Sequence, residues 1–224
     1  MFLFAPIRNI HSRIKVFLLG FLRRHGFTRL RYKRLVRIFY YKELFDRIRN
    51  IEGDIVECGV AYGNSLVIFG ALAHAEGKGR RILGYDSFEG FPEPGQEDES
   101  FRNPQKGEYG DATMERVRKQ FLWAGVPEPI LVKGYFEKTV QNYQGRIALL
   151  HVDGDLYSSY KTVLESLYDK VVPGGIVTFC EYNEPKWPGA KQAVDEFFGD
   201  QKSLLQKSSY VNKYFLVKPQ PSVL

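Results

Sequence analysis

The chain has 224 residues and a net charge of +6, with 44% hydrophobic and 15% aromatic residues. A chain of this size and apolar content can bury a sizeable core, which excludes a disordered or fibrous protein and favours one domain. No apolar run reaches the length of about 18 residues that a membrane-spanning helix needs. Two cysteines, Cys58 and Cys180, exclude a disulfide scaffold and match no zinc-site spacing.

Positive charge is concentrated at the start of the chain. Residues 1–50 contain only two acidic residues, Glu43 and Asp46, and have a net charge of +11, whereas residues 51–224 have a net charge of −5. This asymmetry predicts a basic helical arm, residues 1–50, attached to a mildly acidic body, residues 51–224. The body is expected to be the catalytic or binding domain.

Helical spacing of apolar residues predicts two helices in the arm, over about residues 13–24 and residues 32–48. A basic amphipathic helix can lie on an anionic membrane surface, so peripheral membrane contact is open, but packing on the body or in a homo-oligomer is more common. The apolar run over residues 16–22 is followed by Arg23 and Arg24 rather than a cleavage site, which favours a cytoplasmic protein.

The body alternates strands and helices, which predicts a parallel sheet covered by helices on both faces. The predicted strands are residues 54–57, 81–85, 130–133, 147–152 and 176–179, followed by a hairpin of residues 207–211 and 214–217. The predicted helices are residues 64–75, one capped by Asp111, residues 158–168 and residues 190–198. Residues 173–175, Pro-Gly-Gly, are predicted to form a turn before the fifth strand, and the long loop over residues 91–110 is a candidate lid.

Ligands of such sheets bind beyond the carboxyl ends of the strands, so the exit loop of the first strand is the first candidate site. This loop has the pattern E-x-G-x-x-x-G, formed by Glu57, Gly59 and Gly63, and glycine lets the backbone approach a ligand closely. Asp86 ends the second strand, where its carboxylate could accept hydrogen bonds from both hydroxyls of a ribose. The alternative is that Asp86 only caps the turn over residues 87–90.

Five sequence blocks resemble the macrocin O-methyltransferase (TylF-type) family of class I methyltransferases, which methylate sugar hydroxyls with S-adenosylmethionine. The blocks are residues 53–63, 85–92, 133–139, 149–157 and 187–197. The resemblance implies a Rossmann-like α/β fold, with a seven-stranded, mostly parallel sheet of order 3-2-1-4-5-7-6 and helices on both faces, beside the N-terminal arm.

The resemblance also implies where S-adenosylmethionine binds. Glu57, Gly59 and Gly63 are expected to cradle its amino-acid end, and Asp86 with Ser87 its ribose. The full set of expected cofactor-binding residues is Glu57, Cys58, Gly59, Tyr62, Gly63, Asn64, Ser65, Asp86, Ser87, Gly134 and Asp153.

Members of the family hold Mg²⁺ with the first Asp of D-G-D and with two consecutive Asp residues after the fifth strand. These positions carry Asp153, Cys180 and Glu181 here, so one family carboxylate is replaced by a thiol. Cys180 is a poor ligand for a hard cation. The resemblance therefore leaves three options: weak Mg²⁺ binding, a preference for a softer ion such as Mn²⁺, or a metal-free site with Asp153 as general base.

Three further residues are candidates near this position. His151 lies two residues before Asp153, on the same side of the strand, and is a candidate base or a residue that orients one; a hydrogen-bonded core histidine is the alternative. Tyr182 and Trp187 follow the presumed metal position and are candidates for an apolar wall against a sugar ring.

The sequence favours an S-adenosylmethionine-dependent O-methyltransferase acting on a sugar of a glycosylated natural product or a polysaccharide precursor. The basic arm keeps a nucleic-acid methyltransferase open as an alternative, although the chain has Asp-Gly-Asp-Leu after the fourth strand where base-amine methyltransferases carry Asn/Asp-Pro-Pro-Tyr/Phe. Cys180 keeps a third alternative open, a non-catalytic cofactor-binding or membrane-associated protein.

Overall fold

The structure is a computed structural model and describes residues 32–220. By its contacts the chain divides between residues 36 and 37. The helix predicted over residues 13–24 lies outside the described residues. Within the part of the chain that is described, no helix is both long and apolar enough to cross a membrane.

The body is built on one seven-stranded sheet of order β3-β2-β1-β4-β5-β7-β6, which confirms the predicted fold. Strands β1 to β5 pair in parallel, whereas β7 pairs antiparallel with both β5 and β6. The strands are Asp54–Cys58 (β1), Ile82–Asp86 (β2), Ile130–Lys133 (β3), Ile147–Val152 (β4), Val171–Phe179 (β5), Gln206–Lys207 (β6) and Tyr214–Val217 (β7). The strand order reverses between β1 and β4, which places the crevice for a ligand at their carboxyl ends.

Helices cover both faces of this sheet. They are Tyr32–Arg47 (α1), Leu66–Glu76 (α2), Met114–Ala124 (α3), Phe136–Thr139 (α4), Tyr157–Leu167 (α5) and Pro188–Phe198 (α6). The predicted cap of α3 is wrong, because Thr113 and not Asp111 accepts the capping hydrogen bond, from the backbone N–H of Arg116. Asp111 instead accepts a hydrogen bond of 2.7 Å from the Tyr62 hydroxyl.

Each face of the sheet has its own apolar core. One core contains the inward sides of α5 and α6, and the other contains the inward sides of α1, α2 and α3. From α1, the second core takes four buried side chains, Tyr40, Tyr41, Leu44 and Phe45, and Ile48 directly after the helix joins them. The boundary predicted at residue 50 stays a prediction, but these side chains show that the second half of α1 packs as part of the body.

The turn predicted at residues 173–175 is wrong, because β5 runs through it. In the pairing of β4 with β5, Ile147 lies opposite Val171 and Leu149 opposite Ile176, so the Pro-Gly-Gly segment forms a bulge inside the strand. Gly174 has a φ of 78° there, which glycine adopts without strain. The predicted hairpin is present, but its first strand is limited to β6.

Candidate active site

An open cleft lies at the carboxyl ends of β1, β2 and β4, with an empty volume of about 570 Å³. Four predicted site residues line it: Gly59, Asp86, Ser87 and Asp153. The cleft is also lined by residues that the sequence analysis did not select, namely Ala61, Gly90, Phe91, Pro92, Glu108, Tyr109, Tyr135, Phe136, Glu137, Gly154, Asp155 and Ser159. The switch point of the sheet therefore carries the main candidate site.

Gly59 is required by the close approach of two strand ends. It has a φ of 99°, and a Cβ at this position would overlap the backbone carbonyl of Asp153. The backbone N–H of Asp153 in turn donates a hydrogen bond of 2.8 Å to the Cys58 carbonyl. Glycine thus lets the exit loop of β1 lie directly against the chain after β4, and the floor of the cleft is backbone.

The Asp86 carboxylate is an acceptor for three backbone N–H groups. One oxygen accepts from Val60 at 2.9 Å and from Ala61 at 2.8 Å, and the other accepts from Phe88 at 2.7 Å. A carboxylate has about four acceptor positions, so about one remains for a ligand. Asp86 therefore fixes the exit loop of β1 and its own turn, in addition to facing the cleft.

Glu57 and Ser65 lie beneath the exit loop and do not line the cleft. The Ser65 hydroxyl donates a hydrogen bond to Glu57, whose side chain is fully buried. Burial, offset in part by this hydrogen bond, raises the pKa of Glu57 well above its ordinary value. Cys58 is also buried, and burial raises the pKa of its thiol. These residues support the loop from below.

The remaining predicted cofactor residues lie beside the cleft and are absent from its lining. The Tyr62 ring is covered by the Arg116 guanidinium, 4.2 Å from its centroid, and Gly63 faces Val117 of α3. Asn64 is exposed. Gly134 donates a backbone hydrogen bond of 2.9 Å to the Asp86 carbonyl, so it fixes the end of β2.

Aromatic side chains form part of the cleft wall. Tyr135 and Phe136 follow β3, and Phe91 and Tyr109 stand edge to face with centroids 5.2 Å apart. Tyr135 and Phe136 belong to a block that carried the family resemblance, which is the signal that could have selected them. Phe91 lies in another such block, residues 85–92, whereas Tyr109 lies in the loop over residues 91–110, where no helix or strand period indicates which side chains turn inward.

Asp153 and His151 are brought together, as predicted from their spacing on β4. The Nε2 atom of His151 lies 3.7 Å from Asp153 Oδ2 and 3.6 Å from Glu57 Oε1. His151 is buried with 1% of its side chain exposed, whereas 28% of the Asp153 side chain is exposed. Burial acts to raise the pKa of Asp153, but the adjacent groups His151, Glu181 and Cys180 outweigh it and hold this pKa below its ordinary value. Asp153 therefore presents an ionised carboxylate to the cleft, beside that of Asp86.

The second Asp of D-G-D also lines the cleft. Asp155 has a φ of 59°, and burial together with the neighbouring Asp153 charge raises its pKa well above the ordinary value. The position of Asp155, just before a helix, would suit a capping residue. Helix α5 begins after it, and the backbone N–H of Tyr157 in its first turn bonds to Asp98 at 2.8 Å instead.

The residues at the expected metal position do not fit Mg²⁺. Glu181 Oε2 accepts a hydrogen bond of 2.7 Å from the Tyr160 hydroxyl, and burial and the charge of Asp153 raise the pKa of Glu181 well above its ordinary value. Cys180 is buried and offers sulfur. Mg²⁺ demands near-octahedral oxygen ligands, so the Cys180 thiol is unsuited to it, and one Glu181 oxygen is already taken by the Tyr160 hydroxyl.

Two cations face this group of acids. Lys213 donates hydrogen bonds to the Cys180 carbonyl and, at 3.4 Å, to Glu184. Burial acts to lower the pKa of Lys213 and of Arg37 from α1, but the charges of the neighbouring acidic groups, of which Cys180 contributes most, raise both. Two positively charged side chains are therefore close to these acids.

The candidate substrate residues Tyr182 and Trp187 do not line the cleft. Trp187 is 3% exposed and packs edge to face against Phe91, with centroids 5.7 Å apart. The Tyr182 hydroxyl donates to Asp195 at 2.9 Å. Trp187 thus supports the cleft wall from behind, and a direct contact of either ring with substrate stays a prediction.

The loop over residues 91–110, predicted as a candidate lid, is fastened to the body at several points. Asp98 is buried and holds the start of α5, and the Ser100 hydroxyl donates to the Lys186 carbonyl at 2.9 Å. The Arg102 guanidinium lies 4.9 Å from the Trp187 ring centroid. The loop therefore forms one wall of the cleft in this structure, and a role as a lid stays a prediction.

Comparison with proteins of known function places this geometry in a family. A family model described as macrocin-O-methyltransferase (TylF) matches residues 26–209. A curated relative from Streptomyces olivaceus, 8-demethyl-8-(2,3-dimethoxy-alpha-L-rhamnosyl)-tetracenomycin-C 4'-O-methyltransferase, is 34% identical over 140 residues, 59% of this chain and 54% of the relative. Demethyldecarbamoylnovobiocin O-methyltransferase from Streptomyces niveus is 31% identical over 156 residues, 66% of this chain and 59% of the relative. The matches thus span little more than half of these relatives.

Two solved methyltransferase structures are similar to this chain in fold. The structure of CalS11, a calicheamicin methyltransferase, is 25% identical, with a TM-score of 0.73 over 96% of this chain and 95% of that chain. The O-methyltransferase NovP is 24% identical, with a TM-score of 0.71 over 83% of this chain and 80% of its own, and supports the fold alone. The family model, which matches most of the chain, and the sheet order together confirm the family predicted from the sequence: the chain belongs to the macrocin O-methyltransferase (TylF) family.

Proposed function

We propose that this chain transfers a methyl group from S-adenosylmethionine to a hydroxyl of a sugar. The observation that carries this proposal is the placement of an anionic Asp153 in the same cleft as Gly59 and Asp86. The cleft thereby combines a backbone-lined floor with a carboxylate suited to a ribose and a second carboxylate suited to an acceptor hydroxyl. Membership of the TylF family supports methyl transfer to oxygen as the type of reaction.

The residues of the cleft divide into two groups in this proposal. Gly59 and Ala61 provide a floor with little side chain in the way of a ligand, and Asp86 offers its remaining acceptor position to a ribose hydroxyl. Tyr135 and Phe136 supply aromatic surface for a base. When bound, S-adenosylmethionine supplies an electrophilic methyl group on a sulfonium.

Asp153 activates the acceptor. Its carboxylate accepts a hydrogen bond from the sugar hydroxyl, orients the oxygen for in-line attack and receives the proton as the new C–O bond forms. A low pKa makes Asp153 a weak base but keeps it ionised, and a fixed anion in a partly buried site stabilises the positive charge that develops on the attacking oxygen. Because the residues do not fit Mg²⁺, we assign this step to the Asp153 carboxylate and not to a magnesium ion.

The proposal that the acceptor is a sugar rests on the names of the relatives. The relative from Streptomyces olivaceus is named for methylation of a rhamnosyl group, and one CalS11 structure, 26% identical to this chain, is titled TDP-rhamnose 3'-O-methyltransferase. A six-membered sugar, carried by a nucleotide or by a glycosylated natural product, is therefore the acceptor we propose. The partners proposed are small molecules and not nucleic acid.

The experiment compares Asp153→Asn with the wild type on panels of nucleotide sugars, glycosylated natural products and RNA. We expect methylation of a sugar by the wild type, a loss of at least about a hundredfold in kcat for Asp153→Asn, and unchanged S-adenosylhomocysteine affinity. Asp200→Asn, an exposed position outside the cleft, is the matched control. Full turnover by Asp153→Asn, or transfer to RNA alone, would contradict the proposal.

A further inference from the structure

We propose that His151, Asp153 and Cys180 together form a binding site for a borderline-soft divalent transition ion such as Zn²⁺ or Co²⁺. This site differs from the oxygen-ligand Mg²⁺ site that the family implies, both in its ligands and in the class of ion. It does not depend on the acceptor proposed above, because metal binding is measured in the absence of cofactor and substrate.

The geometry brings one donor atom from each residue into reach of a single ion. A ring nitrogen of His151, a carboxylate oxygen of Asp153 and the Sγ atom of Cys180 all lie within 4.8 Å of one another. Zinc bonds of about 2.0–2.3 Å at tetrahedral angles require donor separations of about 3.3–3.8 Å. The separation of 3.7 Å between His151 Nε2 and Asp153 Oδ2 already meets this requirement. Only a small shift of Cys180 is needed.

The backbone explains why these three residues meet. His151 and Asp153 are two residues apart at the end of β4, so their side chains leave the same face of the sheet. Cys180 follows β5, which pairs directly with β4, and its backbone N–H donates a hydrogen bond of 2.9 Å to the Val152 carbonyl. The paired ends of β4 and β5 therefore fix the relative positions of the three side chains.

The imidazole of His151 independently indicates a missing partner. Neither ring nitrogen has a hydrogen-bond partner among the described residues, although the side chain is 1% exposed. Buried polar groups without a partner are rare and call for an explanation. The Tyr41 and Phe69 rings stand edge to face against the imidazole, at 5.6 and 5.3 Å between centroids, and fix its orientation. A metal ion at Nε2 would supply the missing partner.

The chemistry of the donors selects the ion. Nitrogen, oxygen and thiolate sulfur form the ligand set of Zn²⁺ and Co²⁺, whereas Mg²⁺ takes oxygen. Three protein ligands leave a fourth position open, as in catalytic zinc sites, and the exposed part of Asp153 places that position on the cleft side. Lys213, which donates a hydrogen bond to the Cys180 carbonyl, repels a cation at this site, so moderate affinity is expected.

The test is a Co²⁺ titration of the full chain after removal of metal by a chelator. We expect visible d–d bands of tetrahedral intensity and a near-ultraviolet thiolate-to-cobalt band, both abolished by Zn²⁺ and retained in a large excess of Mg²⁺. Cys180→Ser should remove the near-ultraviolet band and weaken Co²⁺ binding by at least about tenfold, and His151→Gln should weaken binding to a similar extent. Cys58→Ser, the other buried cysteine, is the matched control and should keep both bands.

Three outcomes would overturn the proposal: no cobalt bands in the wild type, a thiolate band that persists in Cys180→Ser, or equal competition by Mg²⁺. Circular dichroism of each variant shows whether it folds, and the wild-type spectrum decides the question even if a variant does not fold. Cobalt bands with no methyl transfer would refute the proposed function alone. Methyl transfer without cobalt bands would refute the metal site alone and leave Asp153 as the base.

Discussion

The Asp98 carboxylate joins the loop over residues 91–110 to the start of helix α5. Its Oδ1 atom accepts a hydrogen bond of 2.8 Å from the backbone N–H of Tyr157, and its Oδ2 atom accepts one of 3.0 Å from Gly95. The first free N–H groups of a helix favour an anionic partner, so Asp98 caps α5 from a distant part of the chain. Because α5 begins just after Asp153 and Asp155, this contact links the loop to the candidate catalytic segment.

Replacing Asp98 by Ala should release the loop. Two hydrogen bonds to a charged group are lost, which should lower the free energy of local opening by about 1.5–3 kcal/mol. We expect faster cleavage by trypsin after Arg102 and Lys106, and weaker binding of S-adenosylhomocysteine because Phe91 and Tyr109 line the cleft. Glu99→Ala, an exposed change directly after Asp98, is the control. Equal cleavage rates in both variants would show that Asp98 does not hold the loop.

The sheet could be predicted from the sequence because apolar strands and amphipathic helices alternate at regular lengths. The bulge at residues 173–175 could not, since Pro-Gly-Gly is equally typical of a turn, and only the pairing of Ile147 and Leu149 with β5 shows that the strand continues. The packing of α1 on the body could not be predicted from the sequence either. A basic helix with an apolar stripe has the same pattern whether the stripe contacts a membrane or the helix's own domain.

The candidate site could be predicted in part for a similar reason. Glycines and acids at strand ends are marked by position, which selected Gly59 and Asp86, whereas the family resemblance selected Asp153. The aromatic wall comes from irregular segments in which no period indicates the inward side chains. The unpartnered nitrogens of His151 depend on which neighbours the fold supplies, and no local sequence pattern carries that information.

Asp86→Asn should lower both the affinity for the cofactor and the stability of the loop that Asp86 holds. The amide keeps one acceptor oxygen and turns an N–H₂ group toward backbone donors, so at least one hydrogen bond to a charged group is lost. We expect S-adenosylhomocysteine affinity to fall about tenfold to a hundredfold, corresponding to about 1.5–3 kcal/mol, in calorimetry. The melting temperature of the ligand-free protein should also fall, because Val60, Ala61 and Phe88 lose part of their acceptor.

The control for this prediction is Glu89→Gln, which changes an exposed carboxylate in the same turn, paired with Lys133 at 3.2 Å. It should change neither measurement appreciably, since exposed ion pairs contribute little. A loss of affinity in Asp86→Asn with an unchanged melting temperature would indicate that Asp86 serves the ribose alone. Unchanged affinity with a lower melting temperature would restrict Asp86 to its structural role.

The pH dependence of stability should report the buried Glu57. Burial raises its pKa in the folded state above the value in the unfolded chain. The stabilising contribution is therefore complete below the unfolded pKa and is lost as the pH rises through the folded pKa. Glu57→Gln cannot ionise and keeps an acceptor for Ser65, so the stability of the wild type relative to this variant should decrease with rising pH.

The measurement is urea denaturation at pH values from about 4 to 8.5. The difference in unfolding free energy between the wild type and Glu57→Gln should change by up to about 1.4 kcal/mol per pH unit. The exposed substitution Glu52→Gln serves as the control. A difference that stays constant with pH, or that grows in favour of the wild type, would show that Glu57 has no raised pKa in the folded protein.

The last prediction separates a detachable arm from an integral helix. Leu44 of α1 is 0% exposed within a core that also contains Phe69 of α2 and Leu149 of β4, whereas Leu122 at the end of α3 is 76% exposed. Removing the Leu44 side chain leaves a cavity in a packed core, so Leu44→Ala should lower the unfolding free energy of the whole domain by about 2–5 kcal/mol. Leu122→Ala should change it by no more than about 0.5 kcal/mol. The measurement is denaturation followed by both circular dichroism and tryptophan fluorescence. For Leu44→Ala we expect a single transition, shifted to lower stability. A separate early transition of α1, with the transition of the body unchanged, would mean that the helix is independent of the domain.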